Sequence, residues 1–108
     1  MKKYHIKKTP LFEAQIDQQM EYYFYEAGID IANKFLDEVE KALNKISKTP
    51  LAYSQFIPLN KKLKNFNFRK KQLDSFPFTI FFQVSAELVL INCIYQGSRD
   101  YEKLISYE

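Results

Sequence analysis

The sequence predicts a two-layer α+β domain in the element order β-α-α-β-β-β, with a helical hairpin packed on a mainly antiparallel sheet. Residues 10–48 place apolar side chains at three- and four-residue steps, the periodicity of amphipathic helices, with one interruption at Gly28. Residues 65–95 change to short alternating or apolar runs with brief polar links, which is typical of a meander. The 108 residues, 46% of them hydrophobic, suit one domain over residues 1–108.

The chain begins with a predicted strand and helix. Residues 4–8 alternate apolar and polar side chains, which favours a short strand. Thr9 followed by Pro10 indicates a helix start, because Thr caps helices and proline suits the first helical position. Gly28 is the expected end. The apolar stripe of this helix comprises Phe12, Ile16, Met20, Tyr23 and Ala27.

A second helix follows at once, with Asp30 as its expected cap and Pro50 beyond its end. Two helices joined by so short a turn must pack antiparallel, and each has a single apolar stripe, so both need a further surface to cover. The stripe of the second helix comprises Ile31, Phe35, Val39, Ala42 or Leu43, and Ile46.

Residues 51–60 are expected to form an irregular loop pinned to the body by Tyr53, Phe56 and Ile57. Three strands are predicted after it, over residues 65–74, 77–84 and 87–95. One face of the meander carries Phe78, Ile80, Phe82 and Val84, and this face is the surface that the helical hairpin lacks. The tail from Gly97 either forms one more helical turn or drapes over the sheet.

Composition excludes several classes of function. With two glycines the chain has no Gly-rich phosphate loop, and no apolar run is long enough to cross a membrane, so we expect a cytoplasmic protein. Cys93 lies in an apolar run and is expected to be a buried thiol. His5 is the only histidine and has no close-spaced ligand partners, so neither a metal nor another cofactor is expected.

Charge is unevenly distributed. From Glu13 to Glu40 the chain has eight acidic residues against Lys34 alone, whereas the stretch from Lys61 to Lys71 has six basic residues and no acidic one. Such a basic stretch suits nucleic acid or an acidic protein segment, or else it is a solvated Lys-rich loop and edge strand. Its members are Lys61, Lys62, Lys64, Arg69, Lys70 and Lys71.

Taken in order, the motifs of the chain resemble those of the RelE/ParE toxin superfamily, which is associated with plasmid stabilisation. They are Tyr22-Tyr23, residues 32–43 before Pro50, Phe68-Arg69-Lys70-Lys71, residues 76–82 with Phe-Pro-Phe, and Gly97-Ser98-Arg99-Asp100. The resemblance implies a RelE-like fold whose first strand lies beside the last. It also implies the toxin of a type II toxin–antitoxin pair, wrapped by a cognate antitoxin in a hetero-oligomer.

The superfamily has two mechanisms. RelE-like members resemble small ribonucleases that cut messenger RNA on the ribosome, whereas ParE-like members poison DNA gyrase. The Phe-Pro-Phe strand and the terminal Arg-Asp pair favour the ParE-like branch, and therefore a toxin that inhibits growth by binding gyrase. A ribosome-dependent mRNA endonuclease is the alternative, and a basic nucleic-acid-binding module outside any toxin pair is the second alternative.

Cleavage of RNA without histidine or metal would need Lys and Arg to stabilise the charge that develops on the phosphorane. The candidate catalytic residues are Arg69, Lys71 and Arg99. Strand alternation places Arg69 and Lys71 on one face and Lys70 on the other. The candidates for binding the target or nucleic acid are Lys61, Lys62, Lys64, Arg69 and Lys71.

Overall fold

The computed structural model describes residues 3–55 and 68–96, in which two helices cover one face of a four-stranded sheet. The elements are β1 (His5–Lys8), α1 (Pro10–Ala27), α2 (Ile29–Lys48), a 3₁₀ turn (Pro50–Ala52), β2 (Phe68–Gln72), β3 (Thr79–Ser85) and β4 (Leu88–Tyr95). The sheet order is β1-β4-β3-β2, in which β1 is parallel to β4 and the other pairs are antiparallel. The predicted α+β class, with the first strand beside the last, is confirmed.

Helix α1 begins and ends as the sequence predicts. The Thr9 hydroxyl accepts a hydrogen bond from the Phe12 backbone N–H at 3.1 Å and donates one to the Asn92 carbonyl at 2.6 Å. The first contact caps the helix, and the second ties its start to β4. Gly28 ends the helix with φ +96° and ψ 169°, a conformation that is essentially restricted to glycine.

Helix α2 starts directly after Gly28, and here the predicted cap is wrong. Asp30 is the second helical residue, and no side chain caps this helix start. The reason is that only one residue separates the two helices, which leaves Gly28 itself in the capping position. The Asp30 carboxylate still lies in the first turn, where negative charge is favourable to the helix dipole.

The main core lies between the helices and one face of the sheet, as predicted. Helix α1 contributes two buried side chains, Phe12 and Ile16, while Met20 and Tyr23 are half-buried against the same core. Helix α2 contributes more buried side chains than α1, and the strands supply the opposite layer of the core. The buried members from α2 and the sheet are Phe35, Val39, Ala42, Leu43, Ile46, Ile80, Phe82, Val84, Val89, Ile91 and Ile94, with Phe78 packed against them.

Two predicted stripe residues are not in the core. Ala27 and Ile31 are both exposed, and they flank Gly28 at the turn of the hairpin. Their neighbours Tyr25 and Ile29 are exposed as well, so these residues at the turn do not pack against the core. The helical periodicity continues to the turn, but the packing does not.

The opposite face of the sheet carries a second, smaller cluster. It consists of Phe68, Phe81 and Cys93, with Tyr95 packed against them, and it confirms the buried Cys93 thiol. β3 and β4 are joined by a two-residue link in which Ala86 has φ +51°. The predicted strand residues Asn65 and Phe66, the loop residues Phe56 and Ile57, and the tail from Gly97 lie outside the described residues.

Candidate functional site

The described part of the basic stretch is strand β2 at the edge of the sheet. Cross-strand pairing matches Arg69 with Phe82 and Lys71 with Ile80, both core residues, while Lys70 pairs with Phe81 on the opposite face. Directly opposed residues on neighbouring strands share a face. The predicted alternation is therefore confirmed, and Arg69 and Lys71 lie on the face that the helices cover.

The Arg69 guanidinium holds the segment that follows the 3₁₀ turn. Its Nη1 donates hydrogen bonds to the carbonyl oxygens of Tyr53 at 2.7 Å and Leu51 at 3.3 Å. The backbone N–H of Lys70 donates to the carbonyl of Ser54 at 3.1 Å, and Gln55 forms an isolated antiparallel bridge with Arg69. Residues 51–55 are thus tied along the outer edge of β2, with Arg69 at the centre of the contact.

Lys71 and Tyr53 form the adjoining contact. The Lys71 ammonium lies 5.2 Å from the centroid of the Tyr53 ring, within the range of a cation–π interaction. The same ring packs edge-on against Phe82 at a centroid distance of 6.3 Å, so Tyr53 pins residues 51–55 to the core as predicted. Burial, with a contribution from the negative charge of Asp74, raises the pKa of the Tyr53 phenol. This shift favours the neutral, protonated form of the phenol.

A polar groove of about 310 Å³ separates α2 from β2 and the link after it. Two contacts cross or line this groove. Glu38 accepts a hydrogen bond from the Ser75 backbone N–H at 2.6 Å, and Lys41 pairs with Asp37 at 3.1 Å on the exposed face of α2. Acidic and basic side chains alternate around the groove, so it lacks the single sign of charge that concentrates a polyanion. Its charged residues are Lys34, Asp37, Glu38, Lys41, Lys45, Lys71 and Asp74.

The other predicted residues fall elsewhere. Lys61, Lys62, Lys64 and Arg99 lie outside the described residues, so their roles remain predictions. His5 is exposed on β1, at the sheet edge opposite to β2.

Several site types can be checked over residues 3–55 and 68–96. These ranges contain no cluster of three His, Cys, Asp or Glu side chains that would hold a metal ion. Neither α1 nor α2 has the length and apolar character that a bilayer-spanning helix requires.

Sequence reasoning missed one prominent surface, at the turn of the helical hairpin. Tyr22, Phe24, Tyr25 and Ile29 all stand in solvent, and we call this group the hairpin tip. Tyr23 alone among the four consecutive aromatic residues packs inward, against Phe35 and Phe76 at centroid distances of 5.4 Å. This exposure could have been predicted from the sequence. Successive residues of a helix point about 100° apart, so four aromatic residues in a row cannot all lie on one buried face.

Comparisons with known proteins agree with this fold. A family model described as the ParE toxin of type II toxin–antitoxin system, parDE, matches residues 6–101. A solved structure described as the chromosomal ParDE TA system from P. aeruginosa aligns with a TM-score of 0.69 at 17% identity, over 88% of this chain and 97% of that chain. Comparison with curated protein sequences finds no match. Because the family model spans most of its length, this chain belongs to the ParE family of type II toxins.

Proposed function

We propose that this toxin acts by binding DNA gyrase, without chemistry of its own, and that a cognate antitoxin neutralises it. The observation that carries the binding mechanism is the position of Arg69. A side chain that stabilises a transition state must be free to meet the charge that develops on the substrate. Arg69 instead donates to two backbone carbonyls of its own chain.

The position of Lys71 also supports a mechanism by binding alone. Its ammonium is placed over the Tyr53 ring, on the helix-covered face of the sheet. In the described part of the molecule both cations thus have partners within their own chain, which supports a structural role for them over a catalytic one. The membership of the ParE family favours gyrase over the ribosome as the target.

We further propose that the antitoxin lays a helix or strand across aromatic residues of the sheet and loop, and that its acidic side chains meet the stretch from Lys61 to Lys71. The solved structure with the same fold is described as a ParDE system, which supports a paired partner and a hetero-oligomer. Co-purification from the native operon tests this part. Recovery of the toxin alone, with no small partner encoded in the same transcript, would contradict it.

Induction of the toxin without its antitoxin tests the mechanism. We expect growth arrest with DNA damage signalling and intact messenger RNA. Ribosome-dependent cuts in messenger RNA without DNA damage would replace the proposal by the endonuclease mechanism. Normal growth with neither effect would favour a basic nucleic-acid-binding module, whose affinity should then fall steeply with salt.

A further inference from the structure

The strongest unassigned feature of the molecule is the exposed aromatic surface of the hairpin tip. The exposed fractions are 58% for Tyr22, 48% for Phe24, 75% for Tyr25 and 54% for Ile29. The Phe24 and Tyr25 rings pack edge-on against each other at a centroid distance of 5.3 Å, so part of the surface is already ordered. Isolated exposed apolar residues are ordinary, but a contiguous group of large rings marks an interaction site.

One residue between the exposed rings anchors this part of α1 in the core. Tyr23 is fixed in the core by contacts with Phe35 and Phe76, and its ring lies 5.8 Å from that of Tyr22. The conformation of Gly28 fixes how α2 leaves α1. Aromatic side chains held on a rigid helix bind with little loss of conformational entropy, which is why Tyr is enriched among the residues that dominate interface energies.

Charge indicates what kind of partner the tip fits. Glu21, Glu26 and Asp30 surround the exposed rings, and all three are exposed. Within the parts of the chain that the structure describes, none of the three forms a salt bridge. An acidic rim repels nucleic acid and attracts a basic protein surface. An enzyme that binds DNA must present such a surface, because it has to neutralise phosphates.

We infer that the hairpin tip is the surface with which the toxin binds its target, and that it docks on a basic, partly apolar surface beside the path of the DNA, so that the target holds toxin and DNA together. This inference rests on the proposed gyrase target and adds the contact site on the toxin. The tip is formed by α1 and α2, whereas the basic strand β2 lies in the sheet. The toxin therefore has an acidic aromatic end for its target, apart from the basic strand β2.

The test measures inhibition of purified gyrase acting on plasmid DNA. We expect Tyr22→Ala combined with Tyr25→Ala to raise the half-inhibitory toxin concentration about 30-fold or more, because each removes a candidate anchor of the interface. Leu11→Ala is the matched control, since Leu11 is an exposed apolar residue at the far end of α1. The control should inhibit like the wild type. Melting temperature and co-purification with the antitoxin verify that each variant is folded.

Charge reversal provides an independent variant should the tyrosine pair disturb the fold. Glu26→Lys combined with Asp30→Lys should weaken inhibition about 10-fold and reduce its dependence on salt, whereas Asp17→Lys, away from the tip, should do neither. Wild-type inhibition by both tip variants would overturn the inference and leave the gyrase proposal intact. Failure of the wild-type toxin to inhibit gyrase at all would overturn both.

Discussion

Replacement of Arg69 by alanine separates a structural role of this residue from a catalytic one. In the structure its guanidinium bridges strand β2 to the segment after the 3₁₀ turn, through the carbonyls of Tyr53 and Leu51. Alanine removes the Nη1 group and with it both hydrogen bonds. The partly buried Tyr53 carbonyl then loses this donor. The substitution should therefore destabilise the protein as a whole and not merely an activity.

The size of the effect follows from the two distances. The bond to Tyr53 at 2.7 Å has the length of a strong charge-assisted hydrogen bond, and such bonds contribute about 1.5 to 3 kcal/mol. The bond to Leu51 at 3.3 Å is longer and exposed, so it adds little. We expect a loss of about 1.5 to 3 kcal/mol in the free energy of unfolding. For a domain of this size that loss lowers the melting temperature by roughly 6 to 12 °C.

Chemical denaturation followed by circular dichroism measures this loss, on protein purified away from its antitoxin. Lys70→Ala is the matched control, because Lys70 is the next residue of β2 and its described bond to Ser54 is made by its backbone. The control should lose less than about 0.5 kcal/mol. Arg69→Lys should fall between the two, since an ammonium keeps the charge but not the geometry of the guanidinium.

One pattern of results would refute the reasoning. If Arg69→Ala unfolds like the wild type but no longer arrests growth, the guanidinium acts on the target or on RNA and its contacts with the carbonyls are incidental. Loss of stability together with a proportionate loss of toxicity is the outcome that the structure supports.

Three further substitutions test the fold. Phe35→Ala should destabilise the protein by about 3 to 5 kcal/mol in denaturant titrations, because Phe35 is completely buried among three other rings; a loss below about 1 kcal/mol would contradict the core assignment. Gly28→Ala should lower stability by about 1 to 3 kcal/mol through backbone strain alone, since a β-carbon there would meet no atom within 4 Å; an unchanged melting curve would refute this. Ala86→Gly should raise stability by about 0.5 to 1 kcal/mol by relieving a left-handed conformation, and a lowered melting temperature would count against it.

Much of the fold could be predicted because its elements are locally encoded. Thr9 and Pro10 start α1, and Gly28 ends it, through contacts that span a few residues. The alternation of apolar residues in β3 likewise reports directly on one buried face. Periodicity does not reveal which strands pair. That β1 lies beside β4 was therefore anticipated only through resemblance to a known superfamily, and the parallel direction of this pair was not predicted.

The two misplaced stripe residues have a cause that local sequence does not contain. Ala27 and Ile31 continue a helical stripe, but exposure depends on how far the sheet extends beneath it, and nothing local encodes that distance. The backbone contacts of Arg69 were equally out of reach, because its carbonyl partners are 16 and 18 residues away along the chain. The guanidinium of Arg69 forms these hydrogen bonds only after folding brings residues 51–53 beside β2.

The most direct test of the central claim is DNA cleavage by purified gyrase in the presence of the purified toxin. A toxin that binds gyrase and has no chemistry of its own should trap the enzyme on cleaved plasmid DNA. It should do so in proportion to its concentration, and addition of the antitoxin should abolish the effect. In parallel, translating ribosomes incubated with the same toxin should keep their messenger RNA intact. Unchanged gyrase activity together with cuts in ribosome-bound messenger RNA would contradict the account and assign the toxin to the ribonuclease mechanism.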